Sequence, residues 1–103
     1  MVTTAFELLA EPTRRRILDQ LCLGERPVGQ LVTELRLPQP TVSKHLRALK
    51  DAGLVQVRPA AQRRYYRLRP EPLRELDAWL EPYRRLWDER LDALDRHLDE
   101  MDD

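Results

Sequence analysis

Pro38 and Pro40 stand one residue apart at the mouth of an otherwise good helical sequence, LPQPTVSKHLRALKDAGLV, residues 37–55. Proline has no amide hydrogen to donate and is excluded from helix interiors. Pro38 stops the preceding helix and biases Leu37 out of the helical region. Pro40 falls in the first turn of the next helix, where amides have no intrahelical acceptor anyway. The pair therefore dictates helix, tight turn, helix. The cap is weak, because neither Pro38 nor Gln39 is a favoured N-cap residue. The fourth helix of the chain is expected over Pro40 to Ala52, ended by Gly53, with Val42, Leu46 and Leu49 on its buried stripe. Lys44 and Arg47 occupy the opposite face, flanked by Thr41, Ser43 and His45. A basic, hydroxyl-bearing outer face of this kind suits the major groove of DNA.

Around this pair the periodicity gives the rest of the chain. TAFELLA, residues 4–10, is a short apolar helix. Pro12 opens a second helix, with Ile17, Leu18 and Leu21 inward and Gly24 as its end. A third covers Val28 to Leu35, with Val28, Leu31, Val32 and Leu35 inward. Arg36 stands where a glycine would ease the exit, a local weakness of up to about 1 kcal/mol. After Gly53 the period changes to two. LVQVRP and RRYYRLRP, separated by AAQ, form a β-hairpin with Tyr66 and Leu68 inward and Arg63, Tyr65, Arg67 and Arg69 outward. An arginine-rich hairpin directly after a helix pair reads as a wing. Residues 71–101 then form a long helix, whose apolar row includes Leu73, Leu76, Leu80, Tyr83, Trp87, Leu91, Leu94, Leu98 and Met101. Trp79 and Leu86 widen the row, and Pro82 is expected to kink or break the helix near Leu80. So long an apolar row in so small a chain points to an interface between two chains.

A chain of 103 residues is read as one domain, with a core modest enough for a partner to add useful burial. Net charge is zero but unevenly spread. Residues 1–70 carry 13 basic and 6 acidic side chains, whereas residues 71–103 carry 5 basic and 12 acidic. Residues 41–69 hold 8 basic residues against one acid, Asp51, which favours a nucleic-acid surface over a protein-interaction scaffold. No run approaches the roughly 20 apolar residues of a membrane span, and no signal peptide is visible. The single cysteine, Cys22, excludes an intramolecular disulfide and fits a reducing cytoplasm; it is read as a small packed hydrophobe. No nucleophile, histidine and carboxylate fall at a convincing spacing and no glycine-rich phosphate loop is present, so an enzyme is not expected.

LAEPTRRRIL (9–18), VGQL (28–31), QPTVSKHLRALKDAGLV (39–55) and RRYYRL (63–68), taken in this order, resemble the ArsR/SmtB family of dimeric winged-helix bacterial repressors. The resemblance covers nearly the whole chain. The tail PEPLRELDAWLEPYRRLW resembles a branch that generally lacks the better-known metal sites. It implies a mainly α fold with a small β-hairpin wing: helix-turn-helix about 28–52, wing about 54–69, C-terminal dimerisation helix about 71–101. It also implies that the fourth helix is the recognition helix, which puts Gln39, Thr41, Ser43, Lys44, His45 and Arg47 on the double-stranded DNA, with Arg63 and Arg64 from the wing. The first and last helices would form a homodimer through Phe6, Leu9, Tyr83, Trp87, Leu91, Leu94 and Leu98. Pro38 replaces the family's usual serine cap, and Arg36 its glycine after the third helix.

The family's metal motifs are not matched. Its thiolate pair would fall within QLVTE (30–34), which has no cysteine, and its interfacial ligands at Pro70, Pro72, Tyr83 and Leu86. His97 with Asp95, Asp99 and Glu100 offers one imidazole among carboxylates, a weak set for a transition metal. No metal or cofactor is assigned. The expected function is a cytoplasmic, sequence-specific transcriptional repressor that binds a near-palindromic operator as a homodimer. The alternatives are a nickel-, zinc- or thiol-responsive regulator of the same fold, or an interaction scaffold. No effector is legible.

Overall fold

The computed structural model describes residues 2–102, with side chains for residues 5–100. The order is α1 (Val2–Leu9), α2 (Pro12–Cys22), β1 (Arg26–Pro27), α3 (Val28–Leu35), α4 (Gln39–Asp51), β2 (Val55–Ala60), β3 (Arg63–Leu68) and α5 (Glu71–Asp102). Val42, Leu46 and Leu49 of α4 sit at helical spacing and are buried, with Ile17, Leu18 and Leu21 of α2 and Leu31 and Leu35 of α3. Leu54 and Val55 carry the core into the hairpin. Among the described residues no polar or charged side chain is fully buried, so the core is held by apolar packing alone.

The two prolines act as expected. Pro38 is the N-cap of α4, with φ −60° and ψ 146°, and offers no side-chain cap. Its carbonyl accepts from the Thr41 and Val42 amides at 3.1 and 3.2 Å. Arg36 leaves α3 in the left-handed region, φ 57° and ψ 44°, with its amide and that of Leu37 both reaching the Val32 carbonyl. This is the cap usually made by glycine. The Arg16 guanidinium satisfies the Leu35 carbonyl at the same helix end, 3.1 Å away. Gly53 performs the same task for α4 with φ 79°; the Leu54 amide bonds the Leu49 carbonyl and the Gly53 amide that of Lys50, both at 2.9 Å.

The hairpin is part of a three-stranded antiparallel sheet, order β1-β3-β2. The two-residue β1 was not anticipated: Arg26 and Pro27 pair with Tyr66 and Tyr65 and tether the base of the wing. The tight connection between β2 and β3 places Ala61 at φ 55°. Tyr66 and Leu68 pack on the core, as the alternation requires. Tyr65, expected outward, is half-buried because Arg58 lies over its ring, 5.0 Å from the centroid.

In α5 a kink or a break was expected near Leu80. The helix is not broken at Pro82 but runs uninterrupted over 32 residues. Pro82 removes one backbone donor, and Arg84 straps the affected turn. Its guanidinium bonds the Asp77 carbonyl at 3.1 Å, the Glu81 carboxylate at 2.7 Å, and the Asp77 carboxylate. The start of α5 packs through Leu73 on the core, and Phe6 of α1 meets Trp79 edge-on at 5.0 Å. Beyond that the helix leaves the body, which is why the molecule is 66 Å long and only 28 by 20 Å across. Met101, expected on the apolar row, lies outside the residues whose side chains are described.

Arg36 tests the account of the turn. A non-glycine residue in the left-handed region is strained, so Arg36→Gly should raise stability by about 0.5–1 kcal/mol. Urea denaturation should show a higher midpoint with an unchanged slope.

Candidate nucleic-acid interface

Burial of the inner stripe of α4 leaves Gln39, Ser43, Lys44, Arg47 and Lys50 exposed on its outer face, with Thr41 half-buried beside them. The wing brings Arg63 and Arg64 to the same side. A cleft of about 580 Å³ opens between these elements, lined by Pro27, Val28, Gly29, Gln39, Ser43, Arg63, Arg64 and Tyr66. The start of α3 in its wall was not anticipated. VGQ carries no charge or motif that marks it, and only the packing of α3 beside the wing brings it there. α3 begins without a side-chain cap, so its first amides face the cleft end of the helix with no side-chain acceptor.

The cations divide into two groups. Arg26 pairs with Glu34 at 3.5 Å, Arg58 with Glu25, Arg69 with Glu71 at 3.8 Å, and Arg84 and Arg85 with Glu81. Lys44, Arg47, Arg63 and Arg64 form no salt bridge among the described residues. Of these, Arg63 and Arg64 line the cleft, while Lys44 and Arg47 lie on the exposed face of α4. A concave surface lined by unneutralised arginines and hydroxyl or amide groups is suited to a polyanion with readable edges.

His45 borders the buried stripe of α4, where a DNA contact and a half-buried packing role were both open from the sequence. It is half-buried against the first turn of α2 rather than on the exposed row, with 13% of its side chain accessible. Its Nδ1 accepts from Arg14 Nε at 3.2 Å, and its Nε2 lies 3.7 Å from Glu11 Oε2. Glu11 is the N-cap of α2, accepting from the Thr13 amide at 3.3 Å. Burial pushes the Glu11 carboxyl up, but the Thr13 amide and the facing His45 and Arg14 hold it below the ordinary glutamate value.

Cys22, expected to be packed, is exposed. It borders a shallow cleft with Leu9, Leu18, Leu68 and Leu73. Among the described residues no three His, Cys, Asp or Glu side chains gather to hold a metal ion. His97 is exposed on the distal part of α5. No described helix is long and apolar enough to cross a membrane.

On α5, Trp79, Tyr83, Leu86, Trp87, Leu91, Leu94 and Leu98 are all exposed, as is Phe6 of α1. Leu9 is half-buried and packs on the chain's own core instead.

A helix pair with an outward basic face, a winged hairpin and a long exposed apolar helix define a winged helix-turn-helix regulator. Residues 11–57 match the family model described as bacterial regulatory protein, arsR family. The HTH-type transcriptional regulator Rv2034 of Mycobacterium tuberculosis is 39% identical over 99 residues, 96% of this chain and 90% of that protein. The transcriptional repressor SdpR of Bacillus subtilis is 30% identical over 79 residues, 77% of this chain and 88% of that protein. The solution structure of a homodimeric winged helix-turn-helix DNA-binding domain from Mycobacterium bovis superposes with a TM-score of 0.67 at 36% identity, covering 80% of this chain and 76% of that one. The chain belongs to the arsR family of bacterial regulatory proteins, which bind DNA and are not enzymes.

The tie at the wing base gives a pH prediction. The hydrogen bond from Arg58 holds Glu25 below its ordinary value of 4.5. A lowered folded pKa means that the tie stabilises fully above the unfolded value and is lost as pH falls through the folded value. Glu25→Gln should therefore flatten the acid limb of the stability curve as pH falls below the ordinary glutamate value of 4.5, measured by urea denaturation.

Proposed function

We propose that this protein is a sequence-specific transcriptional repressor, acting as a homodimer on a near-palindromic operator in the cytoplasm. The observation that carries the reading is the set of exposed cations without a salt bridge, Arg63 and Arg64 lining the cleft between α4 and the wing and Lys44 and Arg47 on the exposed face of α4. Gln39, Thr41, Ser43, Lys44 and Arg47 meet base edges and phosphates in the major groove, while Arg63 and Arg64 hold the flanking backbone. The names of the repressor SdpR and of the homodimeric M. bovis domain support repression and pairing. The exposed row from Tyr83 to Leu98, with Phe6 at its foot, is the surface the second copy covers. Selection of bound duplexes from a random pool tests the reading. It should return half-sites about one helical turn, roughly 10 bp, apart or a multiple of it.

Two variants separate the parts. Arg63→Ala with Arg64→Ala should weaken binding to every sequence and reduce the slope of log affinity against log salt by about 0.9 per lost phosphate contact. Wild-type affinity and slope in that double variant would remove the wing from the interface. Leu94→Asp places a charge where the partner helix packs, at a cost of several kcal/mol. Sedimentation should show monomer with loss of operator binding; an intact dimer would take the distal α5 out of the interface.

A further inference from the structure

The ring of His45 joins the recognition helix to α2 through both of its nitrogens. Nδ1 accepts from Arg14 Nε at 3.2 Å, so it carries a lone pair, and the proton of the neutral ring sits on Nε2. Nε2 faces Glu11 Oε2 across 3.7 Å. That oxygen is buried and has no hydrogen-bond partner. The other oxygen of the same carboxylate is fixed on the Thr13 amide as the cap of α2. His45 is thus held by a charged donor on one side and faces an unsatisfied acceptor on the other, both from the first turn of one helix.

We infer that His45 is a positioning residue for sequence recognition: with Arg14 and Glu11 it fixes the rotation of α4 about its axis and so aims Ser43, Lys44 and Arg47. This rests on the DNA-binding reading above. Apolar packing of Val42, Leu46 and Leu49 is non-directional and tolerates small rotations and slides. Hydrogen bonds weaken steeply with angle, and His45 directly follows Lys44 and precedes Arg47 by two residues. A link there transmits any twist of α4 to those side chains at once. The unpaired Glu11 oxygen makes the link one-sided in the free protein. Closing 3.7 Å to the roughly 2.7–3.2 Å of an N–H···O bond would satisfy it.

The test compares the selected operator with a scrambled duplex of equal length. His45→Leu keeps the bulk and removes both hydrogen bonds. It should lower the operator-to-scrambled affinity ratio about tenfold while leaving scrambled-duplex affinity, set by the wing and by charge, unchanged. Arg14→Leu should lower the ratio similarly, and the double variant should be no worse than His45→Leu alone, as expected for two groups in one link. His45→Gln, which retains an acceptor and a donor, should recover most of the discrimination, whereas a simple loss of fold would lower both affinities together. Nitrogen-15 NMR of the free wild-type protein should show His45 with its proton on Nε2. An unchanged ratio in His45→Leu, independent multiplying losses in the double variant, or a proton on Nδ1 would each overturn the assignment while leaving the DNA reading intact. Failure of the wild-type protein to select any sequence would overturn both.

Discussion

The burial of Val42, Leu46 and Leu49 is the contact on which the rest of the structure depends. All three are essentially inaccessible, packed with Ile17 and Leu31. Their spacing of four and three puts them on one stripe of α4, so their burial decides what the other faces present. Ser43, Lys44 and Arg47 are outside because those three are inside. Leu54 and Val55, directly after the α4 cap, join the same core and set where the wing begins. The exposed basic face of α4 is therefore a consequence of apolar packing on its reverse side.

Electrostatics refine this frame without building it. Exposed ion pairs contribute little to stability, typically about 0–1 kcal/mol. Their value here is geometric. Glu25 and Arg58 brace the wing base, with Arg58 also lying over Tyr65. Arg84 closes the helical turn that Pro82 weakens. The acids used in this way engage Arg58, Arg84 and Arg85 and leave Lys44, Arg47, Arg63 and Arg64 without a salt bridge among the described residues. The acidic excess of residues 71–103 falls mainly on α5, much of which leaves the body that carries the cleft.

Most of the architecture was legible in the sequence. The Pro38–Pro40 pair, the apolar stripes and the switch to period two after Gly53 are local signals with strong steric or packing causes. Even the strained exit at Arg36 was readable, because a helix end followed by a turn this short requires a left-handed residue. Three features were not legible. β1 has only two residues, too few for any periodicity, and exists because β3 lies beside it. Pro82 does not break α5, and Arg84 bridges the turn to side chains three and seven residues earlier. Cys22 is exposed, although it sits beside an apolar stripe in sequence. Residues at the edge of a stripe go in or out according to the neighbouring helix, which periodicity does not specify.

By itself the sequence determined which elements form, which faces are apolar and where the cations concentrate, because these follow from steric limits and from the spacing of side chains along one helix or strand. Only the tertiary structure decided which cations stay unpaired, that the start of α3 joins the cleft wall, and that His45 turns toward Glu11 and Arg14. Those outcomes depend on distances between residues far apart in the chain. Arg14 and His45 are 31 positions apart, and Glu25 and Arg58 are 33. Such pairs meet only after the apolar stripes have packed and fixed the angles between their helices and strands.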